Sequence, residues 1–221
     1  MTLEVIWGSG SPYAWRVLLT LEVKGLSYQS RLIQFSRDDH RTPEHLALSP
    51  RGKVPVLRDG DYALSESLAI MAYLDRKHPE PPIFGRSAEE TGLIWKVISE
   101  FQGYVLPLAE RVIVPAFGGR PLDADDMRAA AGELPGELGH MEQAVSACGW
   151  LAVERLSAAD LAVYPFIEAL LRAAGKEAVH AMGLGFVPLA ERYPVLEDWR
   201  RRIVALPGYA RTYPPHWREA A

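Results

Sequence analysis

The stretch WGSGSPYAWRV, which spans Trp7–Val17, contains two glycines, two serines and a proline between apolar runs. Just before it, Leu3–Trp7 alternates apolar and polar side chains, which predicts a β-strand. Pro12 is a residue type that the first turn of a helix accepts, and Ser11 before it is a natural N-cap. Gly25 then supplies a typical helix end. The stretch therefore predicts a strand, a tight loop and a helix in immediate succession.

Outward from that stretch, the sequence divides into an α/β part and a helical part. The predicted elements after the first helix are the strand Tyr28–Gln34, a short helix from Thr42, a hairpin of Val54–Arg58 and Tyr62–Leu64, and a helix from Ser67 that stops at His78-Pro79. The proline-rich Pro79–Pro82 follows, and from Glu89 onward the chain shows helical periodicity and no convincing strand. We predict an α/β N-terminal domain of order βαβ-α-ββα over residues 1–80, a linker over 81–87 and an all-α helical-bundle domain over 88–221.

The composition argues against several classes of protein. The 221 residues carry 24 basic and 28 acidic side chains, so nothing favours a nucleic-acid partner. No apolar stretch reaches the roughly 18 residues that a membrane helix requires. The single cysteine, Cys148, cannot form an internal disulfide, and the six histidines show no metal-binding spacing. We expect a cytoplasmic protein with no metal, no nucleic-acid partner and no membrane partner.

The glycines of the opening stretch suggest a phosphate-binding loop, but the pattern does not fit one. Gly8 and Gly10 match the first two glycines of the dinucleotide fingerprint, whereas Tyr13 stands at the third. A bulky ring there blocks the close helix–strand packing that the third glycine permits. Neither a Walker motif nor a Gly-x-Ser-x-Gly nucleophile elbow is present. The sequence therefore disfavours both a nucleotide site and an acyl-enzyme serine.

Two interpretations of Ser11 remain. It can simply cap the helix, which stabilises the protein by about 1 kcal/mol. It can also stabilise a bound thiolate together with the first helical amides, because a helix N-terminus carries partial positive charge. Lowering a thiol pKa by about 2 from its usual 8.5 requires roughly 2.7 kcal/mol of preferential thiolate stabilisation. One charge-assisted hydrogen bond and a helix dipole can supply that amount.

Two further stretches complete the pattern. RGKVPVL, residues Arg51–Leu57, places Pro55 near the start of a strand, and LSESLAI, residues Leu64–Ile70, places Glu66 and Ser67 at the start of a helix. Together with the opening stretch they resemble the glutathione S-transferase superfamily, and the resemblance extends along the whole chain. It implies a thioredoxin-like N-terminal domain, an all-helical C-terminal domain and a serine-type cytosolic class with tau-, phi- and zeta-like features.

The resemblance also implies roles for individual residues. Ser11 takes the place of the serine that hydrogen-bonds the glutathione sulfur, so it is the expected catalytic residue. The expected glutathione-binding residues are His40, Lys53, Val54, Pro55, Glu66 and Ser67, with Val54-Pro55 as a cis-prolyl junction. The expected pocket for the second substrate contains Tyr13, Tyr104 and Trp217.

Other motifs are interpreted as structural or narrow the class. Ser157 and Asp160 form a predicted capping box that resembles the folding motif of the family's central helix. Cys148 is expected to pack at a helix end, and the absence of cysteine from residues 8–13 disfavours the thiol–disulfide branch of the superfamily. The sequence before Trp15 lacks the Ser-Ser-Cys of the zeta signature, which disfavours maleylacetoacetate isomerase activity.

The resemblance implies a glutathione S-transferase. Glutathione is the expected co-substrate, its thiolate attacks an electrophilic carbon of a small hydrophobic molecule, and a homodimer is expected by analogy with the family. Two alternatives stay open. One is a protein that binds glutathione or a hydrophobic ligand without turnover, and the other is a different glutathione-dependent enzyme such as an isomerase, dehalogenase or lyase.

Overall fold

The computed structural model describes residues 2–184 and 186–218. The chain folds into two compact units. The first unit contains the N-terminal part through Ile83 together with the segment from Ala205, and the second is Phe84–Val204. The predicted domain ranges, 1–80 and 88–221, remain a prediction, and their residues 1, 185 and 219–221 lie outside the described part. The segment from Ala205, which we expected within the helical domain, packs as part of the α/β unit.

A four-stranded mixed sheet forms the centre of the first unit. Its strands are β1 (Leu3–Gly8), β2 (Tyr28–Ile33), β3 (Val56–Asp59) and β4 (Tyr62–Ser65), in the order β2-β1-β3-β4. β1 runs parallel to β2, and both β1/β3 and β3/β4 are antiparallel. Val5 and Ile6 of the central β1 are almost completely buried. The predicted βαβ-α-ββα order is therefore confirmed.

Three helices of the first unit alternate with these strands along the chain. They are α1 (Pro12–Val23), α2 (Pro43–Leu48) and α3 (Ser67–Lys77), with 3-10 turns at Phe35–Arg37 and Asp39–Arg41. Ala14, Val17, Leu18 and Leu21 of α1 are apolar and buried. The predicted start of the third strand was wrong: the strand begins at Val56 and not at Val54, and the predicted ends of the four strands each differ by one residue. Pro55 lacks the N–H that a ladder needs, so regular pairing starts after it.

The second unit contains helices and no strand among its described residues, 84–184 and 186–204. Its helices are α4 (Ala88–Glu100), α5 (Leu106–Ala116), α6 (Ala124–Cys148), α7 (Ala158–Ala174), α8 (Glu177–His180), α9 (Leu189–Arg192) and α10 (Pro194–Val204). A π-helical turn, Phe101–Val105, joins α4 to α5 where we expected ordinary helix. Pro107 lies just beyond this turn and removes one backbone donor from the regular ladder.

The predicted capping box is present at the start of α7. The buried Asp160 carboxylate accepts hydrogen bonds from the backbone N–H of Ser157 at 2.8 Å and of Leu151 at 3.0 Å. The indole N–H of Trp199 donates to it at 2.9 Å. Burial raises the pKa of Asp160, and these hydrogen bonds oppose that rise. One carboxylate thus joins the helix start, the loop before it and α10.

Within the described residues no helix combines the length and the apolar character that crossing a membrane requires. Two short helices complete the description of the chain: α11 (Tyr209–Thr212) and α12 (Pro215–Arg218), both in the first unit.

Candidate functional site

The loop between β1 and α1 is a tight turn closed by a backbone hydrogen bond. The N–H of Ser11 donates to the carbonyl of Gly8 at 3.2 Å. Gly10 has φ +81°, as the third position of a type II turn requires. Ser11 then caps α1, its Oγ accepting from the N–H of Ala14 at 3.3 Å. The N-cap prediction for Ser11 is therefore confirmed.

This geometry leaves room for both interpretations of Ser11 at once. A hydroxyl has one donor and two acceptor positions, and capping uses an acceptor. The O–H of Ser11 can therefore donate to an anion while its oxygen caps the helix. The partial positive charge at the α1 N-terminus also stabilises an anion bound there.

The sheet places Val54, Pro55 and the start of α3 at the end of the sheet where β1 meets the Ser11 turn. Val56 lies between Ile6 on one neighbouring strand and Ser65 on the other. Two residues further along, Val54 therefore lies level with the loop that follows β1 and with the first turn of α3. The Val54-Pro55 bond is cis, as predicted, and both residues are buried.

The start of α3 carries an unusual backbone conformation. Glu66 is exposed and has φ +69°, in a region where residues other than glycine are uncommon. Ser67 follows as the first residue of the helix and is 6% exposed. Strained backbone of this kind concentrates at ligand sites, so the observation favours a binding role for this turn.

The loops that carry His40 and Lys53 also approach each other. A Cβ at Gly52, whose φ is +60°, would lie 3.0 Å from the carbonyl oxygen of His40, so only glycine fits there without displacement. The His40 ring packs edge-on against Phe35 with 5.2 Å between centroids. Its Nδ1 is buried and has no hydrogen-bond partner among the described residues. The Lys53 side chain is exposed.

Two residues that the sequence analysis did not single out hold the backbone of Lys53. The buried His45 places its Nε2 3.1 Å from the Lys53 carbonyl, and the N–H of Lys53 donates to Ser49 Oγ at 3.1 Å. No sequence pattern indicates these contacts, because they depend on how α2 folds back over the chain before Pro55.

The residues expected around the second substrate have different environments. Tyr13 is half-buried, with the guanidinium of Arg16 5.1 Å from its ring centroid, and burial lowers the pKa of Arg16 to about 10. Trp217, in the first unit, is 4% exposed and packs edge-on against Trp15 at 5.4 Å between centroids. Tyr104 belongs to the second unit, is 63% exposed and lines a cavity of about 780 Å³ between α4 and α6.

The described part of the chain holds no cluster of metal-binding side chains, and its cysteine lies at a helix end. No group of three or more His, Cys, Asp or Glu residues lies close enough there to hold a metal ion. Cys148 ends α6, as predicted, and its thiol donates to the carbonyl of Trp150 at 2.9 Å.

Comparisons with known proteins agree with this geometry. The family model of the glutathione S-transferase N-terminal domain matches residues 9–82, and that of the C-terminal domain matches residues 105–207. The chain is 36% identical to glutathione S-transferase 4 of Zea mays, over 90% of this chain and 86% of the relative. It is 34% identical to glutathione S-transferase F10 of Arabidopsis thaliana, over 73% and 78% respectively. The crystal structure of a glutathione S-transferase from the Antarctic clam Laternula elliptica superposes with a TM-score of 0.84 at 30% identity, covering 99% of this chain and 95% of the other.

Proposed function

Since the chain belongs to the glutathione S-transferase superfamily, we propose that its Ser11 holds the sulfur of bound glutathione as a thiolate. The enzyme is a glutathione transferase and glutathione is its co-substrate. The thiolate attacks an electrophilic carbon of a small hydrophobic second substrate. The thiol proton passes to solvent, a C–S bond forms, and the leaving group departs with its bonding electrons.

The observation that carries the proposal is the convergence of three elements at one end of the sheet. The turn ending at Ser11, the cis Val54-Pro55 bond and the first turn of α3 at Ser67 share that end. The hydroxyl of Ser11 and the α1 N-terminus both favour an anion. Placing the thiolate and the electrophile together supplies the rest of the rate enhancement.

The remaining predicted residues fit the parts of a zwitterionic tripeptide. The Val54 backbone beside Pro55 pairs with the cysteinyl unit. At the γ-glutamyl end, Glu66 takes the ammonium, and the Ser67 hydroxyl with the α3 amides takes the carboxylate. His40 and Lys53 bind the glycyl carboxylate from two loops that lie close to each other. Tyr13, Tyr104 and Trp217 contribute to binding the second substrate.

We also propose a homodimer in the cytoplasm, as is typical of the family. Sedimentation equilibrium tests the first statement, because a protein of 24.5 kDa and its dimer differ twofold in mass. Cell fractionation tests the second.

The experiment that tests the thiolate role measures the pKa of the glutathione thiol on the enzyme. Ultraviolet absorbance of the thiolate is followed against pH for the wild type, Ser11→Ala and the control Ser27→Ala, an exposed serine of the same unit. Loss of one charge-assisted hydrogen bond is expected to raise the bound thiol's pKa by about 1 to 2. Ser27→Ala is expected to change nothing.

Ser11→Asp separates capping from thiolate stabilisation. Aspartate caps helices as well as serine does, yet it lacks a hydroxyl donor and adds a negative charge. We expect this variant to keep the wild-type free energy of unfolding and to lose the ionised thiol. A wild-type thiol pKa in Ser11→Ala would refute the role of Ser11, and failure of the wild type to turn over electrophiles would favour a protein that only binds.

A further inference from the structure

The turn that presents Ser11 contacts the C-terminal segment of the same unit. Ser9 Oγ and His216 Nδ1 lie 2.6 Å apart, within hydrogen-bonding distance. The His216 ring also covers Gly10: a Cβ at that glycine would lie 2.9 Å from Cε1 and 3.3 Å from Nε2 of the ring. A residue more than 200 positions away thus holds the two central residues of this turn.

The backbone that carries His216 is firmly anchored although the ring itself is exposed. Trp217 is 4% exposed and packs edge-on against both Trp15 and Tyr213, at 5.4 and 5.8 Å between centroids. The indole N–H of Trp15 donates to the buried Thr212 hydroxyl at 2.8 Å. These contacts fix the segment to α1, the helix that Ser11 caps. The backbone at His216 is therefore held in place beside α1, which keeps the His216 side chain near its hydrogen-bonding partner Ser9.

The turn needs this second restraint for a geometric reason. The backbone hydrogen bond that closes it, from the N–H of Ser11 to the carbonyl of Gly8, is long for its type at 3.2 Å. Gly10 is the residue type with the greatest conformational freedom, so it does not itself hold the turn in one conformation. A group that stabilises a developing charge must be held within about 0.5 Å of its productive position. The bond from Ser9 to His216 supplies a restraint that the local sequence lacks.

We propose that His216 is a positioning residue for the glutathione thiolate, acting through Ser9 on the turn that presents Ser11. This inference rests on the proposed function. In the neutral tautomer that carries its proton on Nε2, the imidazole accepts the Ser9 hydroxyl proton at Nδ1. His216 need not touch the sulfur: it holds the Ser11 hydroxyl and the α1 N-terminus in one arrangement.

The test compares substitutions that keep or remove the Nδ1 position. His216→Asn places an amide atom where Nδ1 lies, His216→Gln places one nearer Nε2, and His216→Ala removes both. Ser9→Ala removes the partner with a smaller change, and His180→Ala is a control at an exposed histidine of the other unit. Circular dichroism verifies that each variant is folded.

Loss of the restraint is expected to lower kcat by about 3- to 10-fold, the factor that corresponds to one net hydrogen bond. The bound thiol's pKa is expected to rise, while KM for glutathione changes less than about twofold because the other binding residues are untouched. His216→Asn is expected to restore most of kcat and His216→Gln is not. In the double variant Ser9→Ala/His216→Ala the two losses should not add, since both substitutions remove one interaction.

Three results would overturn the inference: an unchanged thiol pKa in Ser9→Ala, additive losses in the double variant, or rescue by glutamine and not by asparagine. Failure of the proposed function is a distinct result, since the wild type would then show no ionised glutathione to perturb. If His216→Ala does not fold, Ser9→Ala and the asparagine–glutamine pair still decide the question.

Discussion

Lys24, at the end of α1, has a completely buried ammonium group. Its Nζ donates to the carbonyls of His78 at 2.7 Å and Pro81 at 2.8 Å, and forms an ion pair with Asp75 at 2.7 Å. The side chain of Lys24 is 0% exposed and that of Asp75 is 14% exposed. Asp75 also accepts from the N–H of Ile83 at 2.9 Å. The Lys24 ammonium group, together with Asp75, therefore holds the segment that follows α3 in place.

Lys24→Met keeps the length and packing of the side chain and removes the charge. Breaking a buried ion pair by deleting one partner costs about 3–5 kcal/mol, because the other charge is left uncompensated. Asp75 retains the N–H of Ile83 as a donor and is 14% exposed, so we expect the lower limit, about 3 kcal/mol. In a chain of this size that corresponds to a decrease in Tm of about 6–12 °C.

Urea unfolding and thermal melts of Lys24→Met measure this loss. Lys96→Met is the control, since that lysine is 65% exposed and pairs with Glu100 on the surface; its expected change is within about 0.5 kcal/mol. Lys24→Met/Asp75→Asn should recover a large part of the loss, because the carboxylate charge is then removed together with the ammonium charge. A loss below about 1 kcal/mol in Lys24→Met, or a double variant no more stable than the single one, would refute this account.

Two further predictions concern the second unit. Hydrogen bonds from the Arg155 guanidinium hold the pKa of Glu90 at about 2, below its ordinary 4.5, so this pair contributes stability that is present above pH 4.5 and is lost as the pH falls toward 2. We expect Arg155→Gln to flatten the pH dependence of unfolding in that window, and an unchanged slope would contradict the assignment. Asp160→Asn is expected to cost about 2 kcal/mol in denaturant unfolding, because an amide NH₂ then faces the N–H of Ser157 and leaves a buried donor unsatisfied. Asp198→Asn, at a carboxylate that is 72% exposed, is its control, and equal stability of the two variants would show that the capping box contributes little.

The order of elements and several caps were predictable because the signals are local. Ser11 before Pro12, Ser157 three residues before Asp160 and the strand that stops at Gly8 each depend on neighbours within a few positions. The hydrogen-bonding requirements of the backbone and the geometry of proline determine these caps and ends locally, independently of distant residues. The same reasoning missed the π turn before Pro107, because a helical pattern does not indicate which register of backbone bonds a helix adopts.

The support around the candidate site was not predictable in this way. His45 holds the backbone of Lys53 from α2, and His216 approaches Ser9 from the far end of the chain. Both contacts join segments that only the packed unit brings together. The sequence around a histidine in a polar stretch does not indicate whether the side chain positions another residue or is solvated. Only the tertiary structure shows which of the two roles it has.

The choice of serine at position 11 follows from combining the two demands on that position. As an N-cap, asparagine and aspartate perform as well as serine, so capping alone does not select it. A bound thiolate excludes aspartate, whose charge would repel the sulfur. Asparagine can donate to the sulfur, but its longer side chain moves the donor, and the covered glycine of the turn leaves little freedom to compensate. Serine meets both demands with one oxygen, which accepts from Ala14 and donates outward, so a test of Ser11 must measure helix stability and thiol ionisation separately.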